Sequence, residues 1–260
     1  CAGVLVRRLW TLLAVAGVVL GAMAAVTGLP YGRVNPRAFA ELYHGSTDTT
    51  GYVHIAVDCD PASPGTQSSC TFAALTQVVS VDATIANGLG MDLFSTPFDA
   101  SSVDFLEAMD VPVHKVASFE NVDLPLLRRI AQTGKPVIMS TGMATLGEIE
   151  EAVQTLRTSG TTELALLKCT SSYPSPPEAI NLRTIPHMAE AFQTPVGLSD
   201  HTMGTAVPVA AVALGACIIE KHFCLSRNEP GPDTAFSLEP HEFKQMVESV
   251  RTAELALGQV

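Results

Sequence analysis

Lysine is absent from the first ninety residues, which carry four arginines (Arg7, Arg8, Arg33, Arg37) and a single glutamate, Glu41. Charge is scarce throughout, at 16%, and what exists is mostly negative, giving a net charge of −11. No basic stripe is available to neutralise phosphates, so a nucleic-acid partner is excluded. The six cysteines (Cys1, Cys59, Cys70, Cys169, Cys217, Cys224) show no CxxC spacing and no disulfide framework. Cys169 and Cys217 sit inside apolar runs, where a free thiol behaves as a small hydrophobe, and a reducing compartment follows. Charge is missing entirely from Leu9 to Gly32, behind the Arg7-Arg8 pair. That pattern fits a signal anchor or uncleaved signal peptide, or else a buried Ala/Val/Gly-rich helix. Residues 44–71 are rich in Ser, Thr, Gly and Pro and read as loop.

From residue 91 the text becomes regular, and it carries nearly all the acidic side chains. Such a break marks a domain boundary or two segments of different origin, and one expectation takes residues 1–90 as foreign or read in a shifted frame. Six apolar runs each end in small polar residues: MDLFSTPFD (91–99), VHKVASFE (113–120), PVIMSTG (136–142), LALLKCTSSY (164–173), PVGLSDHT (195–202) and ACIIEKHF (216–223). Helical spacing fills the intervals. In 146–159 it sets Leu146, Ile149, Val153 and Leu156 on one face. Residues 122–136 close on Gly134 and Pro136, and a last helix runs from Pro240 to Gly258. Alternating strands and helices imply βαβ units and a parallel sheet. The expected fold is α/β, a (β/α)8 barrel of the triose-phosphate-isomerase type, for which 260 residues suffice. Two of its eight strands would have to come from residues 1–90, where none is recognisable.

In such a barrel every strand's C-terminal end lies on one rim, where chemistry sits. His201 and His222 lie one βα unit apart, with Glu220 or Asp200 nearby, and suit a divalent ion such as Mn2+, Mg2+ or Zn2+. Alternation along the strand puts Glu220 and His222 on one face and Lys221 on the other. Either histidine alone would more simply be a hydrogen-bonded structural residue. Lys115, in an otherwise apolar strand, is costly unless it meets an anion. With Thr96, Ser118 and Ser140 it would form a phosphate or carboxylate pocket, the bland alternative being a lysine that snorkels at a strand edge. Asp233, in RNEPGPDTAFSLEP, would hold substrate hydroxyls or cap a turn.

The stretches VASFE, PVIMSTGMATLGEIEEAV, LLKCTSSYPSPPEAINLRTIP, VGLSDHTMGTAVPVAAVALGACIIEKHF and GPDTAFSLEP resemble the sialic acid synthase family. They are most similar to its pseudaminic acid branch, whose wording CTS-x-YP and AFSLEP they share. The resemblance spans residues 91–260 and implies an enzyme that condenses phosphoenolpyruvate with an N-acetylated amino sugar and releases phosphate. For the pseudaminic branch the sugar is a 2,4-diacetamido-trideoxyhexose; N-acetylneuraminate and legionaminate synthesis are the alternatives. The resemblance implies that His201 and His222 hold Mn2+ or Mg2+, and that Lys115, Thr96, Ser118, Ser140 and Ser199 surround phosphoenolpyruvate. Tyr173, Asp233 and Glu120 would lie towards the sugar or support the pocket, and Ser171, a further substrate-binding candidate, stands where the sialic branch often has asparagine. Glu120, Glu220 and Asp233 are the candidate catalytic carboxylates.

The resemblance further implies a cytoplasmic homodimer and a following antifreeze-like domain that lends an arginine to the partner subunit's site; these 260 residues do not include it. It also implies a glutamate and an Asn-His pair after the first strand, and a Lys-x-Gln in the second. Residues 1–90 contain neither. A metal-dependent barrel hydrolase would use the same histidine pair but would not need Lys115 and the hydroxyls. A binding-only or membrane-tethered relative would keep the rim without turnover.

Overall fold

The computed structural model describes residues 11–16, 51–54, 91–228 and 233–258. Eight strands make one sheet: β1 (Thr11–Ala16), β2 (Gly51–His54), β3 (Met91–Phe94), β4 (His114–Val116), β5 (Val137–Ser140), β6 (Leu164–Cys169), β7 (Val196–Asp200) and β8 (Ile218–Phe223). Their order is β3-β2-β1-β8-β7-β6-β5-β4, and every neighbouring pair is parallel. The two end strands meet as well, because the Lys115 N–H donates to the Ser95 carbonyl at 3.4 Å. That bond closes the sheet on itself.

The described helices are α1 (Ala100–Ala108), α2 (Leu124–Ala131), α3 (Leu146–Ser159), α4 (Thr184–Phe192), α5 (Ala206–Ala213) and α6 (Pro240–Leu257). Local chemistry explains their ends. Asp99 and Asp123 accept from the first-turn amides of α1 and α2, and Thr145 with Glu148 forms a capping box on α3. Gly134, at φ +73°, lets the chain turn from α2 into β5, where a Cβ would be strained.

Each strand faces two environments. One face packs on the helices, where Val116, Met139, Leu166, Leu198 and Ile219 join Leu127, Leu156 and Met246. The other face lines the barrel lumen, whose floor is Phe94, Ile138, Ala165, Leu167 and Ile218. This apolar floor lies below the C-terminal rim, the end where barrels of this type carry their sites.

Three sequence expectations change. The six recognised units become eight strands: β1 falls inside the uncharged Leu9–Gly32 run, and β2 inside the stretch taken as loop. A short apolar strand within a longer apolar run has no periodicity of its own to mark it. The rest of Leu9–Gly32 lies outside the described residues, as does most of what was taken as foreign or frame-shifted. Among the described residues no helix is long and apolar enough to cross a membrane. Finally, Ile149, Val153 and Leu156 are buried as expected, but Leu146 is 53% exposed in the first turn of α3.

Candidate active site

Alternation sends Lys115, Ser140, Cys169, Ser199 and Glu220 to the lumen above the apolar floor, with His201 and His222 one step higher. Lys115 is 2% exposed. Its ammonium donates to Ser140 Oγ at 2.8 Å and to the Val116 carbonyl at 2.9 Å, and it lies 3.5 Å from Glu220 Oε2. Strands β4 and β8 stand four apart in the sheet order, so this lysine reaches across the lumen to meet the carboxylate. It is not a snorkelling edge residue. Glu220 Oε1 in turn accepts from Ser199 Oγ at 2.6 Å. A cation, a carboxylate and two hydroxyls thus share the bottom of one pocket.

Four more groups close around it. Ser118 Oγ accepts the Gly142 N–H at 3.0 Å, and a Cβ built on Gly142 would lie 2.4 Å from Ser171 Oγ and 3.1 Å from Cys169 Sγ. The convergence of Ser118, Ser171 and Cys169 therefore depends on glycine at 142. Cys169 is the lumen-facing residue that sequence reasoning passed over as a small hydrophobe. The signal was present: a period of two puts Cys169 on the same face as Ser171. Burial pushes the Cys169 thiol up, but His201, Ser118 and Ser199 outweigh it and hold the thiol below its usual value. For His201 burial acts downward, and Cys169, Glu220 and the Thr170 carbonyl together leave it above the ordinary histidine value.

The two imidazole centroids are 5.1 Å apart. His201 Nδ1 sits 3.0 Å from the Thr170 carbonyl, and the His201 carbonyl accepts from Ser175 N–H at 2.9 Å. His222 Nδ1 faces Asp233 Oδ2 at 3.7 Å. Each ring thereby has Nδ1 turned to an oxygen. Among the described residues no group of three His, Cys, Asp or Glu side chains converges as a metal cage. Asp200, weighed as a ligand from sequence, points to the opposite face and pairs with Lys221 at 2.6 Å.

Tyr173 roofs this pair, its ring centroid 4.3 Å from that of His201 and 5.3 Å from that of Phe236. Burial, with Cys169 as the next cause, pushes the Tyr173 hydroxyl up to about 12, so it stays a donor. Glu120 lies at the rim, and burial raises its carboxyl against the opposing pull of a backbone bond and Lys115. Its Oε2 is buried with no hydrogen-bond partner among the described residues. Thr96 is buried just beyond β3. Asp233 makes no side-chain cap bond to the short 3-10 turn Thr234–Phe236; its carboxylate faces His222.

Residues 74–260 match the model of the NeuB family. The chain belongs to that family. It is 43% identical over 175 residues to the pseudaminic acid synthase of Helicobacter pylori, covering 67% of this chain and 52% of that one. It is 47% identical over 166 residues to the N,N'-diacetyllegionaminic acid synthase of Campylobacter jejuni, covering 63% and 50% respectively. The chain spans about half the length of the curated relatives it matches. Among solved structures, the spore coat polysaccharide biosynthesis protein spsE of Bacillus subtilis superimposes with a TM-score of 0.79 at 30% identity, over 95% of this chain and 68% of that one.

Proposed function

We propose that this NeuB-family chain condenses phosphoenolpyruvate with an N-acetylated amino sugar and releases phosphate. The observation that carries this is Lys115, a buried ammonium ringed by Ser140, Ser199 and Glu220 at the base of a rim pocket. A hydrolase acting on a neutral bond has no use for such a cradle, whereas a small phosphorylated carboxylate fits it. Lys115 and the Ser140, Ser199 and Ser118 hydroxyls hold the phosphate and carboxylate of phosphoenolpyruvate, fixing its enol carbon below the sugar aldehyde. His201 and His222 would hold a divalent ion, Mn2+ or Mg2+, which would supply Lewis-acid polarisation of that aldehyde. Tyr173 and Asp233, at the mouth, hold the sugar.

The enol carbon's electron pair forms the new C–C bond, and the aldehyde oxygen takes a proton to become a hydroxyl. Glu120, its carboxyl raised by burial, is suited to deliver that proton. Water adds at the carbon left electron-poor, Glu220 takes its proton, and phosphate departs by C–O cleavage. Among sugars we favour the 2,4-diacetamido-trideoxyhexose of the pseudaminic branch, on the shared CTS-x-YP and AFSLEP wording; the legionaminic and N-acetylneuraminate precursors are the alternatives.

The test is phosphate release from phosphoenolpyruvate with Mn2+, each precursor sugar offered separately. Release that requires one sugar supports the reading and names the substrate. A second reading, binding without turnover, is favoured by residues 1–90, whose sequence contains neither the glutamate with its Asn-His pair nor the Lys-x-Gln that the resemblance implies. Calorimetric binding of phosphoenolpyruvate with no phosphate release from any sugar would establish that second reading. Neither binding nor release would sink both.

A further inference from the structure

The motifs that present His201 and His222 are locked together behind the sheet by a pair of charges that the condensation does not use. Alternation turns Ser199 and His201 into the lumen and Asp200 outward on β7; it turns Glu220 and His222 inward and Lys221 outward on β8. The register sets Asp200 directly opposite Lys221. Both side chains are fully buried, and Lys221 Nζ donates to Asp200 Oδ2 at 2.6 Å. The remaining carboxylate oxygen, Oδ1, accepts twice from Thr202, from its N–H at 3.0 Å and its hydroxyl at 2.8 Å. Lys221 also donates to the Thr202 carbonyl. His201 is therefore held by its neighbours on both sides, Asp200 and Thr202. The same lysine that ties them down immediately precedes His222.

We infer that the Asp200–Lys221–Thr202 network is a positioning device that fixes the separation of the two imidazoles and so sets the divalent-ion affinity of the site without touching the ion. This rests on the metal role of His201 and His222 proposed above. A buried ion pair is a weak source of net stability, since an apolar replacement of similar volume often stabilises as well. Its directional bonds, in contrast, fix register in a way that an apolar replacement does not. Groups that orient metal-binding histidines from outside commonly change metal affinity 10- to 100-fold when removed.

The experiment measures Mn2+ binding to the full chain directly, by calorimetry and by the free-ion paramagnetic resonance signal, alongside thermal melts. The set comprises wild type, Lys221→Met, the double variant Asp200→Asn/Lys221→Met, and His201→Ala. The double variant leaves no uncompensated buried charge, so it folds even where the single change does not. Wild type should bind Mn2+, His201→Ala should lose it, and the double variant should bind about tenfold or more weakly while melting near wild type. If His201→Ala loses the ion but the double variant binds within twofold of wild type, the positioning role is overturned and the metal site stands. If wild type fails to bind Mn2+, or His201→Ala binds as wild type does, the metal reading falls and the positioning role falls with it.

Discussion

Replacing Lys115 by methionine tests the anion cradle most directly. The side chain keeps its length and apolar stem and loses only the ammonium. At about 4 Å, in an effective dielectric of about 20, one charge pair is worth about 4 kcal/mol. In the resting pocket that ammonium already faces Glu220 at 3.5 Å, so an entering anion gains only part of this. Taking half, about 2 kcal/mol, Lys115→Met should weaken phosphoenolpyruvate binding roughly 30-fold. The same arithmetic predicts the opposite sign for Glu220→Gln. Removing the competing carboxylate frees the ammonium, so phosphoenolpyruvate should bind more tightly even as turnover falls. Calorimetric titration of phosphoenolpyruvate in the absence of sugar reads both effects, and melts establish that the variants fold. Binding by Lys115→Met within threefold of wild type, or weaker binding by Glu220→Gln, would refute the cradle.

Gly142→Ala forces a methyl against Ser171, Ser118 and Cys169; overpacking of this kind costs about 1–3 kcal/mol, so a lowered melting temperature and a raised KM for phosphoenolpyruvate are expected. Arg227 chelates Glu242 through both guanidinium nitrogens and, with a smaller contribution from the Glu239 amide, holds its carboxyl down at about 2 against an ordinary 4.5. A depressed carboxyl stabilises the fold above its unfolded value and loses that contribution as pH falls through the folded one. The difference in urea midpoint between wild type and Arg227→Met should therefore persist at neutral pH and close between pH 4.5 and about 2; a gap that stays constant across this range would rule the pair out as its source. Leu156→Ala, at a fully buried position, should cost about 2–5 kcal/mol. Leu146→Ala, on the exposed turn of the same helix, should stay within about 0.5 kcal/mol, and denaturant melts separate the two.

Most of the lumen was legible because strand stereochemistry is local. Each rim segment ended in Ser, Thr, His or Glu, and a period of two assigned Glu220 and His222 to one side and Lys221 to the other without knowledge of the fold. Helix ends were legible for the same reason: Gly134 and Gly258 act within their own turn. Three things were not. β1 was hidden in a longer uncharged run and β2 in a stretch with turn composition, so neither stands out from its flanks. Cys169 looked apolar because its sequence neighbours are apolar, while the atoms around its sulfur come from segments 30 to 50 residues away, Ser118 and His201 among them. Leu146 fell on the apolar stripe of its helix, yet it stands exposed in the first turn.

The sequence by itself determined which side chains face the lumen and which face the helices, because alternation and capping are set by backbone geometry within a few residues. Only the tertiary structure decided who meets whom. Lys115 finds Glu220 across the barrel, Asp200 finds Lys221 rather than a metal ion, and Gly142 makes room for Ser171. Each of these depends on the register and closure of strands far apart in the chain, and no local pattern encodes that register.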